Sequence, residues 1–292
     1  MMRVASAQLR QRGMSASVAR IADLIGKAAR GGAQVVAFPE AALTGYGPEM
    51  VASAGDVAAA EDDLRNACRR HSIASIVGSP RDGSNSALVV NADGAVVCRQ
   101  HKMQLVPTDL PWTKRAGDAL HVFELFDCKC AVIICHDKRY PELVRLPVLA
   151  GARVIFYISA ESWHDDLPLP APRDPPWDGA RLEREMGVYR AQAQARAVEN
   201  RVWLVKSNFA GERDDPTQGS HGQSCVVDPT GIVVAEAGVY DETLVHHTLD
   251  LSKATALYAD KSLLPEYALA GWWRSASGLV RHVGAGAGKG EC

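Results

Sequence analysis

Three ionisable residues stand where strand-like runs break into loops: Glu40 closes AQVVAFPE, Lys102 follows VVCRQH, and Cys135 ends CAVIIC. The run that leads to Cys135 restarts as a helix opened by Pro141 and Glu142. That setting lifts a thiol clear of a sheet and aims the positive end of a helix at it, which favours thiolate and a developing oxyanion. Glu40 offers a base at a strand's carboxyl end, where open α/β proteins carry their sites. Lys102 offers a cation that lowers a thiol pKa and stabilises charge on a tetrahedral intermediate. Each residue also has an ordinary reading. A cysteine is most often a small buried hydrophobe, and a lone Glu or Lys at a strand end is most often solvated.

The elements that must position these residues read as alternating strands and helices. Runs rich in Val, Ile and Ala recur at about residues 3–9, 33–38, 73–78, 86–91, 95–100, 121–126, 130–135, 153–159, 202–207, 223–228, 231–236 and 243–250. Helical periodicity covers Val18 to Arg30, Val57 to His71, Pro141 to Ala150 and Glu183 to Asn200. NADG at 91–94 and DPTG at 228–231 read as hairpin turns. With no linker, the pattern predicts an α/β chain with one domain over 1–275, followed by a flexible, glycine-rich tail over 276–292. The proline-rich stretch from 165 to 177 follows the strand after Cys135, so it either borders the site or is a surface loop.

Composition sets limits. The 292 residues hold 47% hydrophobic and 23% charged side chains, which is enough for a large core. A net charge of −2 leaves no nucleic-acid footprint. No apolar run approaches the roughly 20 residues of a membrane span. Seven cysteines, an odd number, with no apolar leader point to the reducing cytoplasm.

The order Glu, Lys, Cys in the settings VVAFPEAALTGY, RQHKMQLVP and VIICHDKRYPE resembles the nitrilase superfamily of carbon-nitrogen hydrolases. The likeness extends to RVASAQL, YRAQAQARAVENRVWLVKSN and HGQSCVVDPTGIVVAEA, and so covers nearly the whole chain to about residue 250. It implies a four-layer αββα sandwich, with subunits that pair into a homodimer or larger homo-oligomer. It also implies a catalytic set of Glu40, Lys102 and Cys135, with the backbone N–H of His136 completing an oxyanion site and no cofactor or metal. The substrate would be a small-molecule amide or N-carbamoyl amide, split through a cysteine acyl-enzyme. CHDKRYPE looks more like the amidase and carbamoylase branches than the true nitrilases.

One departure from that pattern matters. The family commonly carries a second glutamate between the lysine and the cysteine, ahead of a turn comparable to Gly117-Asp118, but MQLVPTDLPWTKRAGD contains none. Asp109 is the only carboxylate available there before Asp118, and it is one methylene shorter. A catalytically weakened relative acting as a binding or scaffold protein is therefore the alternative. Lys138 and Arg139 resemble the basic pair with which carbamoyl amino acid hydrolases grip a substrate carboxylate, although an Arg at 139 also has structural uses. Trp163 is a candidate pocket wall. Cys128, Cys130, Cys135 and His136 do not make a metal cluster, because Cys135 has the opposite strand parity and no second ligand pair follows.

Overall fold

The computed structural model describes residues 1–47, 52–161, 179–212 and 220–284. Two sheets form the middle of the molecule. The first is ordered β12-β1-β2-β3-β4-β5, from Thr243–Leu249, Met2–Gln8, Val35–Ala37, Ala74–Gly78, Ser86–Val90 and Val96–His101. The second is ordered β11-β10-β9-β8-β7-β6-β13, from Val233–Glu236, Cys225–Val227, Trp203–Ser207, Val154–Ile158, Cys128–Ile134, Leu120–Leu125 and Val280–His282. β1, β2 and β3 run parallel, as do β7, β8 and β9, and the remaining strands lengthen each sheet at its margins.

Strand alternation divides the apolar residues between two faces of each sheet. Val4, Val35, Ile76 and Val89 from the first sheet meet Phe123, Val132, Phe156 and Val205 from the second, and these inner faces make the central core. The opposite faces are covered by helices. On the first sheet lie α1 (Met14–Arg30), whose Ile21, Leu24, Ile25 and Ala28 form one stripe at helical spacing, and α2 (Ala54–His71). On the second lie α3 (Pro141–Leu149) and α4 (Gly179–Asn200), contributing Val144, Val148, Ala193 and Ala197. The result is the expected four-layer αββα sandwich.

Local signals explain the boundaries. Ser53 caps α2 by accepting the Asp56 N–H at 3.1 Å, and Pro141 with Glu142 opens α3. The Asn91–Gly94 turn closes the β4–β5 hairpin, with Gly94 at φ 76°, where a side chain would be strained. The C-terminal end departs from expectation. The segment after β12 forms α5 (Leu257–Lys261) and α6 (Ala270–Ala276), and Val280–His282 then joins β6 in parallel as β13. A boundary at 276 thus cuts off an edge strand of the second sheet, whose three residues were too few to show periodicity. Residues 285–292 lie outside the described residues.

Candidate active site

Glu40 stands in the turn that follows β2, held by its own N–H to Ser159 O at 3.3 Å. This turn packs directly on Gly78, where an added Cβ would sit 2.2 Å from Ala41 N and 2.3 Å from Pro39 O. Glycine at 78 is therefore a condition for placing Glu40. Lys102 follows β5 immediately, its N–H bound to Asn85 O at 2.8 Å. Cys135 follows β7 in a left-handed conformation, φ 48°, and opens a 3-10 turn over Cys135–Arg139. Because Ile134 pairs with Ile158 in the parallel β7–β8 ladder, Cys135 and Ser159 leave adjacent strand ends side by side.

The side chains converge. Lys102 Nζ lies 2.8 Å from Glu40 Oε1 and 2.8 Å from Asp109 Oδ2, and all three side chains have zero exposure. Asn85 Nδ2 donates to Glu40 Oε1 at 2.6 Å and to Asp109 Oδ1 at 3.3 Å, which ties the two carboxylates together. Tyr46 Oη donates to Asp109 Oδ1 at 2.9 Å, and the Val106 N–H donates to Oδ2 at 2.9 Å. Glu40 Oε2 receives the Ala160 N–H at 2.9 Å. Asp109 thus meets Lys102 directly despite its shorter side chain. It reaches because the tight turn after Val106 carries it inward, with the Asp109 N–H on Val106 O at 2.8 Å.

Cys135 keeps partial exposure beside this buried cluster. The expectation of a favoured thiolate is corrected here: the thiol is pushed up to about 11. Burial is the leading cause and the Glu40 charge adds to it, which together outweigh Lys102, Lys138 and a hydrogen bond from Ser159. Lys102 goes the other way. Burial alone would lower it, but Glu40, Cys135 and Asp109 together hold it well above the usual lysine range, so it stays an ammonium. The His136 imidazole is lowered to about 4 by burial and by Arg139, Lys102 and Lys138, and stays neutral.

A second buried charge cluster lies beyond the cysteine. Lys138 is 2% exposed, ion-paired with Glu161 and hydrogen-bonded to Tyr157 Oη at 2.8 Å. Lys206 Nζ pairs with the other Glu161 oxygen at 2.7 Å. Lys138 is therefore committed inside the protein, and its expected part in gripping a substrate carboxylate is corrected. Its Nζ also lies 4.1 Å from the Tyr189 ring centroid, and the Arg139 guanidinium covers the same ring at 5.7 Å. Trp163 and the proline-rich stretch from 165 to 177 lie outside the described residues.

Several residues of this site escaped the sequence reading. Ser159 and Glu161 follow β8 just as Glu40 follows β2, so the strand-end rule that found Glu40 could have found them. Lys206 inside the apolar run VWLVKSN was a signal too, since a lysine is seldom buried without a partner. Asp137 accepts backbone N–H groups from Ile134, Met103 and Gln104, and so ties the 3-10 turn to the segment after Lys102. Asn85 and Tyr46 gave no signal.

The Carbon-nitrogen hydrolase family matches residues 3–259. The omega-amidase of Mus musculus is 27% identical over 254 residues, covering 82% of this chain and 84% of its own. A 2-oxoglutaramate amidase of Bacillus subtilis (strain 168) is 29% identical, covering 76% and 80%. Among solved structures, a cysteine-to-alanine variant of the amidase from Nesterenkonia sp. AN1 in complex with butyramide superposes with a TM-score of 0.73 at 25% identity, over 89% of this chain and 93% of that one. The chain belongs to the carbon-nitrogen hydrolase family, within the nitrilase superfamily. It is a hydrolase that opens an amide-type carbon–nitrogen bond through a cysteine nucleophile.

Proposed function

We propose that this protein is a small-molecule amidase in which Glu40, Lys102 and Cys135 form one catalytic unit and Asp109 fills the place of the family's second glutamate. The observation that carries the reading is Lys102 held 2.8 Å from both Glu40 and Asp109 with all three side chains fully buried. Burying an ammonium between two carboxylates is costly and persists where the charges serve each other. It argues against a relative reduced to a scaffold.

The chemistry follows from the charges. The thiol starts protonated, so it needs a base, and Glu40 Oε2, engaged by a single backbone donor, has a lone pair to offer. Glu40 takes the proton as sulfur attacks the carbonyl carbon, and the resulting oxyanion is held by Lys102 and the His136 backbone N–H. The C–N bond breaks when Glu40 returns that proton to the leaving nitrogen. Glu40 then deprotonates a water that attacks the thioester, and the departing sulfur recovers a proton, restoring Cys135.

Similarity to proteins named omega-amidase and 2-oxoglutaramate amidase supports a substrate that carries an acid group as well as the amide. With Lys138 committed to Glu161, Arg139 on Tyr189 is the cation left to receive it. Two copies are expected to pair, since α5, α6 and the turn between them expose Leu257, Tyr258, Leu264, Tyr267, Leu269 and Trp272. A cytoplasmic setting fits the free cysteines and the absence, among the described residues, of a helix long and apolar enough to cross a membrane. Ammonia release should be measured across amides, ω-amides of dicarboxylic acids, N-carbamoyl amino acids, N-carbamoyl amines and nitriles. Turnover of an amide that vanishes in Cys135→Ala supports the reading, and turnover that survives the substitution overturns it.

A further inference from the structure

The two groups assigned to the oxyanion come from different sheets. Lys102 follows β5 in the first sheet, whereas His136 lies in the 3-10 turn that follows β7 in the second. Donors carried on separate layers act on one oxygen only if something sets their spacing. The Lys102 backbone is fixed on its own side, with its N–H on Asn85 O at 2.8 Å and its carbonyl accepting the Gly117 N–H at 2.7 Å. What joins this segment to the turn is the Asp137 carboxylate. Its Oδ1 accepts the Gln104 N–H at 2.8 Å and the Met103 N–H at 3.1 Å, and its Oδ2 accepts the Ile134 N–H at 3.2 Å and lies 3.3 Å from Met103 N. Among the described residues, no other hydrogen bond connects residues 102–106 with the Cys135–Arg139 turn.

We propose that Asp137 is a positioning residue for the oxyanion, its carboxylate fixing the distance between the Lys102 ammonium on one sheet and the His136 backbone N–H on the other. The inference rests on the amidase reading, in which those two groups hold the oxyanion. Asp137 is 1% exposed. Burying a carboxylate is costly unless donors surround it, and here the donors are backbone N–H groups of the two segments that need a common register. The three carboxylates near Lys102 thus divide the work. Glu40 and Asp109 aim its ammonium, each at 2.8 Å from Nζ. Asp137 sets where the whole segment stands against the turn. It touches neither substrate nor sulfur and exchanges no proton with them. Its effect is confined to a reaction in which charge develops on the carbonyl oxygen, because only that step needs both donors at once.

The test compares two reactions of the same sulfur at about pH 8.5, above the value of about 7 to which burial pushes the Asp137 carboxyl. Hydrolysis of the best amide in the substrate panel forms an oxyanion. Alkylation by iodoacetamide, followed on the Cys135 peptide by mass spectrometry, is a displacement at saturated carbon and forms none. In Asp137→Asn a side-chain N–H meets a backbone N–H, so one side of the bridge opens. The expected kcat is about 10- to 100-fold lower, the range that hydrogen bonds to a charged group span. KM should stay within about twofold of wild type, since the lost interaction belongs to the transition state, and the alkylation rate within about threefold, since it needs no oxyanion donor. Asp137→Glu, which keeps the charge but moves it by one methylene, should fall between Asp137→Asn and wild type in kcat. An unchanged kcat in Asp137→Asn overturns the inference, and so do equal losses in hydrolysis and alkylation, which mark a merely structural role. Should Asp137→Asn fail to fold by far-ultraviolet circular dichroism, the same two outcomes in Asp137→Glu overturn it. A wild type that hydrolyses no amide of the panel overturns the amidase reading and this inference with it, whereas failure of this inference alone leaves wild-type turnover intact.

Discussion

Glu161→Gln removes the carboxylate that Lys138 and Lys206 share while preserving shape. Glu161, Lys138 and Lys206 are 2%, 2% and 1% exposed, so solvent cannot take over the lost charge. Breaking a buried ion pair from one side costs about 3–5 kcal/mol, because the surviving charges are left without compensation. Here both lysines lose the carboxylate they share, a loss in that range that corresponds to a fall in Tm of roughly 10 °C. The pH dependence gives a sharper check. Burial and the neighbouring Lys206 already lower Lys138 below its ordinary 10.5, and burial lowers Lys206 as well. A lysine lowered in the folded state binds fewer protons there than in the unfolded chain, so stability rises with pH until the unfolded value near 10.5 is passed. Removing the carboxylate lowers both lysines further. The gap between Glu161→Gln and wild type should therefore be widest near pH 7 and should shrink by pH 10, when the buried amines are neutral. Urea unfolding followed by circular dichroism at both pH values measures it, and Lys138→Met in the Glu161→Gln background should recover part of the loss. A gap below about 1 kcal/mol at pH 7, or one that does not shrink with pH, would refute the idea that this cluster is a dry, charge-balanced unit.

Other outcomes follow from the same geometry. Single losses of Glu40, Lys102 or Cys135 should each lower kcat/KM by roughly 10³-fold or more, with double losses far short of multiplying; independent effects would show that one of them acts only structurally. Asp109→Asn should lower activity by removing one of the two carboxylates on Lys102, while Asp109→Glu should retain more, and equal rates in the two would deny Asp109 its place beside Lys102. Gly78→Ala should displace the Glu40 turn and cost far more activity than stability of the helices, read as lost turnover with retained far-ultraviolet circular dichroism.

The strand pattern was readable because each run alternates or saturates with Val, Ile and Ala over a length that burial on one or both sides demands. Its edges were less so: β13 has three residues and borrows its pairing from β6, so nothing local announces it. Glu40, Lys102 and Cys135 stood out as candidates because each follows a strand end, and the resemblance of their flanking residues to the nitrilase superfamily joined them into a set. Asn85, Tyr46 and Tyr157 were not, since their importance lies in which hydroxyl or amide meets which carboxylate, a matter of three-dimensional approach that strand periodicity does not encode. Lys138 shows the converse. Proximity in sequence to the nucleophile suggested a substrate contact, yet the 3-10 turn points its side chain inward to Glu161.

The left-handed backbone at Cys135 carries a consequence for how the protein can change. A residue with a Cβ costs about 1 kcal/mol or more in that conformation, and this cost is borne by the one position where glycine, which adopts it freely, has no sulfur to offer. Position 135 is thus a place where stability and activity are opposed. Cys135→Gly should unfold later than the wild type, or at least no earlier despite losing its side-chain packing, while Val or Ile at the same site, stiff at Cβ, should fold poorly. Selection for robustness alone would drift this codon away from cysteine, so only continued demand for the reaction keeps the thiol where it is.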